Sequence, residues 1–204
     1  MSSIISVRLA KTQSEMEVVY QLTHDTFVEK RLCDEQEDQS LKNNQELDQH
    51  PGTQVFIALI DGEIRGTISL SLHDKMEEVY NYSFVSQLLA RSYDSGRPAY
   101  SGWRLATKGS RIERYLLAVR LIMHGYKAII SGGSHQAYFS FLPSQLKVYK
   151  KFFPEGQILG QIRKQTRFID GQLVLMKHRV SQSGYKHLES LYSSLAKKYR
   201  FKAR

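Results

Sequence analysis

The sequence predicts a mixed α/β protein in which one sheet is covered by helices. Short apolar and β-branched runs recur along the chain, and two of their boundaries carry Asp-Gly turn dipeptides. Between them lie longer segments with apolar residues at helical spacing, two of which open on capping boxes. Strands and helices interleave along the chain, and a sheet with helices packed on it buries the apolar faces of both.

Val7 to Ala10 reads as a first strand. Thr12-Gln13-Ser14-Glu15 then opens a helix, because a Thr and a Glu three residues on each satisfy a backbone N–H of the first turn. Met16, Val19, Tyr20 and Phe27 give that helix an apolar face. Cys33 to Gly52 is polar and acidic, a long loop with room for a helical turn, and long ordered loops are often functional. Val55 to Ile60 and Ile64 to Leu72 make a hairpin about Asp61-Gly62. Met76 to Arg91 reads as a helix leading to a turn at Ser95-Gly96-Arg97-Pro98.

Ala99 to Ala106 is the next strand, followed by a Thr107-Lys108-Gly109 turn. Ser110-Arg111-Ile112-Glu113 is the second capping box. The helix behind it carries Ile112, Tyr115, Leu116, Val119, Ile122 and Met123 on one face. Gly125 is expected to end it, with Lys127 to Ser131 as a short strand closed by Gly132-Gly133. Pro143 to Lys151 reads as a helix with Pro in its first turn. Gln157 to Ile162 is a strand, and Thr166 to Ile169 with Leu173 to His178 a second hairpin turning at Asp170-Gly171. A last amphipathic helix runs from Tyr185 to Tyr199 with Leu188, Leu191, Tyr192 and Leu195 on one face. No linker divides the chain, so one domain is expected over residues 1–204, with 185–204 as a C-terminal helix and basic tail.

The 204 residues are 41% hydrophobic and 24% charged, which excludes wholesale disorder. No apolar run approaches the ~20 residues of a membrane span, and Met1 to Ala10 lacks the pattern of a secretory signal. Cys33 is the single cysteine, so no internal disulfide forms, which fits a reducing, cytoplasmic setting. The net charge of +9 is split unevenly: residues 1–100 hold 9 Lys/Arg against 16 Asp/Glu, and residues 101–204 hold 20 against 4. The basic half points to an acidic partner: nucleic acid, a phosphorylated cofactor, an anionic membrane or an acidic protein.

Chemistry-bearing patterns are few. The turn and helix start at Lys108, Gly109, Ser110 and Arg111 offer unpaired N–H groups and two cations, which suits an anion; an ordinary capped helix accounts for them as well. Tyr149 stands late in the Pro143 helix, where a phenol serves either as a general acid or as a core side chain. Ser134-His135 lacks a third member for a nucleophile pair. The His and Cys residues show no metal-ligand spacing, so no metal is expected, and neither a P-loop nor a dinucleotide Gly fingerprint is present.

Thr26-Phe27-Val28-Glu29-Lys30, Asp48-Gln49-His50-Pro51 ahead of the first hairpin, Trp103-Arg104-Leu105-Ala106, and Pro143 to Phe153 occur in this order and spacing. Together they resemble the GNAT superfamily of acyltransferases, and within it the bacterial N-acyl amino acid synthases and acyl-homoserine lactone synthases. The resemblance spans about residues 5–180 and implies a GNAT-like mixed sheet, splayed at its centre and flanked by helices. It implies transfer of a fatty acyl group from an acyl carrier protein thioester to the amine of an amino acid. Tyr149, Arg104 and Ser101 are then the catalytic candidates. Tyr149 would protonate the departing thiolate, and Arg104 would bind the acceptor carboxylate or hold the splayed strand. Ser101 stands where that subgroup carries a Glu. Trp103, Leu105, Lys108, Gly109, Ser110 and Arg111 would contact the pantetheine arm and its phosphate, and Phe139, Phe141 and Leu142 would line an acyl groove.

Thr107 stands where the GNAT pyrophosphate loop has its first Gly. That departure implies acyl-phosphopantetheine delivered on acyl carrier protein rather than acyl-CoA, with no tightly bound cofactor. Lys147, Lys150, Lys151, Arg163, Lys164 and Arg167 would steer the acidic carrier. Two other readings compete. One is an acetyl-CoA-dependent N-acetyltransferase. The other is a basic nucleic-acid-binding domain resting on the Lys197 to Arg204 tail, which lacks any accompanying nucleic-acid signature and serves equally as a peripheral membrane contact.

Overall fold

A computed structural model describes residues 3–42, 45–79, 82–94, 96–165 and 170–203. Strand β1 (Ser3–Leu9) is followed by helix α1 (Gln13–Glu29), the short α2 (Gln45–Gln49) and the hairpin β2 (Thr53–Ile60) and β3 (Glu63–His73). Then come α3 (Tyr82–Leu89), β4 (Ala99–Thr107), α4 (Arg111–Ser131), β5 (Gln136–Phe141) and α5 (Leu146–Phe152). Strands β6 (Gln157–Gln165) and β7 (Asp170–Arg179), helix α6 (Gln182–Lys198) and β8 (Phe201–Ala203) complete the order. Among the described residues eight strands form one mixed sheet in the order β6-β7-β5-β4-β3-β2-β1-β8.

Local chemistry explains the elements that were expected. Thr12 caps α1 through its hydroxyl, which accepts the Glu15 N–H at 3.2 Å, and Ser110 caps α4 with Glu113 in the same way. Asp61 and Gly62 both take positive φ, 51° and 93°, as the tight β2–β3 turn requires. Alternation along β2 divides the two faces of the sheet. Phe56 and Ala58 join the large core under α4, whereas Ile57 and Leu59 meet Val19 and Tyr20 of α1. Helix α6 packs outside α4 through Leu188, Tyr192 and Ala196. On the α1 face, α3 contributes Val85 and Leu89 to a second cluster with Tyr138 and Leu175.

Four expectations need correction. Helix α4 runs through Gly125 to Ser131, so the strand expected at 127–131 is helical and β5 lies further on. A mid-helix Gly costs ~1 kcal/mol against Ala. Here it lets α4 close on β3, since a Cβ at 125 would fall 3.0 Å from Leu70 Cδ1. Asp170 and Gly171 are not a turn: they pair with Gln165 and Lys164 inside the β6–β7 ladder. The strand expected at Thr166 to Ile169 lies outside the described residues. The single helix expected from Met76 is a 3-10 turn at Met76–Glu78 followed by α3. Finally, the expected C-terminal helix and basic tail include a strand, because β8 pairs in parallel with β1 from Ser3↔Phe201 to Ile5↔Ala203.

The feature that positions the site lies at the centre of the sheet. Parallel pairing of β4 with β5 extends only from Ala99↔Gln136 to Gly102↔Phe139. Beyond it β4 stays with β3 as far as Thr107↔Gly66, and β5 stays with β7 as far as Phe141↔Val174. The sheet therefore forks. On its β3 side β4 skips register, from Ser69↔Trp103 to Thr67↔Ala106, which leaves Arg104 and Leu105 as a bulge opposite one residue. Arg104 sits there at φ 56°, a conformation that costs a non-glycine residue about 1 kcal/mol or more.

Candidate active site

A cavity of about 130 Å³ opens through the fork. Phe27, Lys30 and Leu32 border it on the α1 side, and Trp103, Arg104 and Leu105 line it from the bulge. Phe139, Phe141 and Tyr149 form an aromatic wall, and Ile122, Gly125, Tyr126 and Ile129 of α4 line the deep side. Apart from the fork edges the lining is mostly apolar. Along the open side of the fork, β4 has no strand partner among the described residues to take its backbone N–H and C=O groups.

Tyr149 stacks flat on Phe141, with ring centroids 4.0 Å apart and planes 5° apart, and faces Phe139 at 5.6 Å. This apolar setting pushes its phenol pKa up, by desolvation, so it holds its proton throughout the physiological range. A thiolate formed in the same apolar setting is equally poorly solvated, so its basicity rises too and the neutral phenol beside it is placed to donate.

Arg104 is buried and its Nη2 donates to Asp48 Oδ1. The guanidinium lies over the Trp103 ring at 4.2 Å and over the Tyr20 ring at 5.4 Å. The Tyr20 hydroxyl donates to the other Asp48 oxygen at 3.3 Å. The Nε and Nη1 of Arg104 are buried without a hydrogen-bond partner among the described residues. Asp48 comes from the acidic segment, which is anchored on the α1 face by buried Leu41 and Leu47. The segment thus packs on the sheet and delivers one carboxylate to the bulge. Trp103 is fixed by its indole N–H, which donates to Ser71 Oγ at 2.9 Å, and Ser71 is linked to Thr53 at 2.6 Å.

Ser101 does not reach the cavity with Tyr149 and Arg104. It lies buried two residues before Trp103, on the α1 face, with its Oγ 2.6 Å from His73 Nε2. His73 escaped the sequence reading. The only available signal was its place at the end of a strand whose alternate residues Ser69 and Ser71 are polar. Burial, with His50 nearby, lowers its pKa from 6.5 to about 4. Burial does the same to His178 on the other face.

These two buried imidazoles make an acid-stability prediction. Between pH 6.5 and about 4 the unfolded chain binds protons that the folded chain refuses, so stability is full above pH 6.5 and falls as pH drops through the window. Each contributes on the order of 3 kcal/mol over the whole window. Urea denaturation at pH 7.5 and 4.5 should show the loss, and His73→Gln should remove the His73 share of it while the His178 share remains. Equal midpoints at the two pH values would contradict neutral burial.

The phosphate candidates lie together but are partly occupied. The Ser110 N–H donates to Glu113 Oε2 at 2.7 Å, so the helix start already holds a carboxylate. These hydrogen bonds keep the Glu113 pKa below the usual carboxylate range. Gly109 takes φ 121°, and a Cβ there would fall 2.8 Å from the same Glu113 oxygen. Arg111 is exposed, and Lys108 is exposed with its Nζ 3.8 Å from Asp25. Lys147, Lys150 and Lys151 of α5, the helix that carries Tyr149, are exposed, as is Arg163 of β6. The Lys164 side chain and Arg167 lie outside the described residues. No group of His, Cys, Asp and Glu that would hold a metal occurs among the described residues, and none of their helices is long and apolar enough to cross a membrane.

The family model for N-acyl amino acid synthase FeeM matches residues 18–179, which include the fork, the bulge and Tyr149. The chain belongs to the FeeM family of N-acyl amino acid synthases. This is a family of acyltransferases. A search of curated protein sequences finds no match. Among solved structures, FeeM from uncultured soil microbes superposes with a TM-score of 0.72 at 14% identity, covering 93% of this chain and 97% of that one. The acyl-homoserine lactone synthase LasI gives 0.66 at 10% identity, covering 93% and 96%. MesI, described as a CoA-dependent acyl-homoserine lactone synthase, gives 0.62 at 14% identity, covering 93% and 95%. The FeeM-family fold is thus GNAT-like, as the sequence resemblance implied.

Proposed function

We propose that this FeeM-family protein is an N-acyltransferase that moves a fatty acyl group from an acyl carrier protein thioester to the amine of an amino acid. The observation that carries the reading is the apolar cavity crossing the fork between Trp103–Leu105 and Tyr149. A thioester arm laid along the free edge of β4 would place its carbonyl at the bulge and its alkyl chain against α4. On this reading the whole chain acts as one acyltransferase domain in the cytoplasm, where carrier-bound acyl groups are made.

The chemistry follows from positioning and electrostatics. The neutral amine attacks the thioester carbon, and its nitrogen gives up a proton to solvent as the amide bond forms, from which Tyr149 is reprotonated after it has served the thiolate. The oxyanion that forms is stabilised by backbone N–H groups on the edge of β4 that β5 leaves unpaired. The C–S bond breaks, and Tyr149 donates its proton to the thiolate. Arg104, held by Asp48, fixes the bulge that aims those donors, so of its two sequence-derived roles holding the strand is preferred. His73, buried and hydrogen-bonded to Ser101 on the α1 face, does not line the cavity and supports the strand from behind. Lys108 and Arg111 hold the pantetheine phosphate, since Glu113 takes up the turn between them. The exposed lysines of α5 favour an acidic carrier, whose field would raise the encounter rate.

Mass spectrometry of lipid extracts from a host overexpressing the protein tests the reading. New N-acyl amino acids are expected, and their absence would sink it. Purified protein offered the same acyl group on carrier protein and on coenzyme A separates the donors, with the carrier form expected to turn over faster. Gly125→Leu offers a further check. Its side chain would press on Leu70 and fill the cavity, so long-chain transfer should fall at least tenfold while short-chain transfer survives. Equal loss for both lengths would argue against an alkyl chain beside α4.

A further inference from the structure

The deep end of the cavity is not apolar like its walls. Tyr126 of α4 and His178 of β7 meet there, and the phenol and Nε2 share a hydrogen bond. Phe153 packs against both rings, with centroids 6.1 Å from Tyr126 and 4.9 Å from His178. Gly184 of α6 leaves room behind them, because a Cβ there would fall 3.0 Å from the Tyr126 ring. The pair is therefore held firmly and lines the space that an alkyl chain would enter.

One hydrogen bond does not exhaust this pair. A phenol offers one donor and two acceptor positions, and a neutral imidazole one donor and one acceptor. His178 Nδ1 is buried with no partner among the described residues. If the phenol donates to Nε2, the ring proton sits on Nδ1 as an unmet donor. If Nε2–H donates to the phenol oxygen, the phenol proton and the Nδ1 lone pair are both unmet. Either arrangement leaves a polar demand at the end of an apolar tunnel, which a saturated chain cannot meet. A hydroxyl both donates and accepts, so it answers either arrangement.

Strand register fixes the depth. His178 pairs with Ala137, which pairs with Tyr100. The Arg104 bulge lies four residues along β4 from Tyr100 and two strands across from β7, about 13 Å and about 10 Å at standard strand spacings. An oxygen read by the pair therefore lies well out along the chain, away from the thioester.

We propose that the cavity is built for a fatty acyl chain bearing a hydroxyl group distant from its thioester, and that Tyr126 and His178 bind that hydroxyl. This rests on the acyltransferase reading above. The test is a competition between a saturated acyl thioester and hydroxylated chains of the same length, with the hydroxyl moved stepwise along the outer half. The wild-type protein is expected to favour one positional isomer at least tenfold in kcat/KM. Tyr126→Phe, which removes only the phenol oxygen, should erase that preference, and His178→Leu should invert it toward the saturated chain. Transfer of all chains with no isomer preferred, or an unchanged ratio in Tyr126→Phe, overturns the proposal and leaves the acyltransferase reading intact. Transfer of none of them overturns both. Should a variant misfold, the wild-type ratio alone still decides.

Discussion

Tyr149→Phe is expected to lower kcat for acyl transfer by about 10²–10³, with KM for the acyl donor nearly unchanged. The ring would remain stacked on Phe141 and packed on Phe139, Phe152 and Phe153, so the aromatic wall keeps its shape. Only the proton donor is lost, and with it the stabilisation of the leaving thiolate. The size of the loss should depend on the leaving group. An alkyl thiolate needs the proton, whereas an aryl thiolate of low basicity departs almost as well without it. Comparing wild type and variant on alkyl and aryl thioesters of one acyl chain measures this directly. A defect of equal size on both esters would assign Tyr149 to packing, and no defect on either would remove it from the reaction.

The sequence carried the frame of the site because that frame depends on local signals. Capping boxes at Thr12 and Ser110 mark helix starts through hydrogen bonds between near neighbours. Asp61-Gly62 marks a turn through backbone conformations that few residues adopt. The Tyr149 helix follows from Pro143 and its spacing. Two of the misreadings show how packing and pairing overrule a local signal. Gly125 looks like a helix end, yet the contact with Leu70 makes it a close-packing position. Asp170-Gly171 looks like a turn, yet both residues find ladder partners in β6.

The candidate site divides along the same line. Tyr149, Trp103, Arg104 and Leu105 were legible because they sit in short runs that resemble a family pattern. The partners that give those residues their properties come from far along the chain. Asp48 reaches Arg104 across 56 residues, and His73 reaches Ser101 across 28. Tyr126 and His178 are 52 residues apart. No spacing rule announces such pairs, because they exist only once the sheet has set its register.

Asp48→Ala is the substitution expected to cost most in stability. Arg104 has no exposed side-chain area and Asp48 has 8%, so the pair is withdrawn from water. A buried ion pair is a weak stabiliser compared with an apolar pair of the same shape, because both ions lose their hydration. Removing one partner is different. The guanidinium stays buried, still charged, with its Nε and Nη1 already lacking hydrogen-bond partners among the described residues. The expected destabilisation is about 3–5 kcal/mol. Asp48→Asn, which keeps an oxygen able to accept the Arg104 N–H, should cost less. The double variant Asp48→Leu with Arg104→Met should recover much of the stability lost in Asp48→Ala, because no lone charge remains. It should not recover activity, because Arg104 and its partner hold the left-handed turn of β4 that aims the oxyanion donors. Urea denaturation and turnover measured on all three variants separate the two roles. Recovery of both stability and turnover in the double variant would show that the bulge keeps its shape without the ion pair, and would move the oxyanion site away from it.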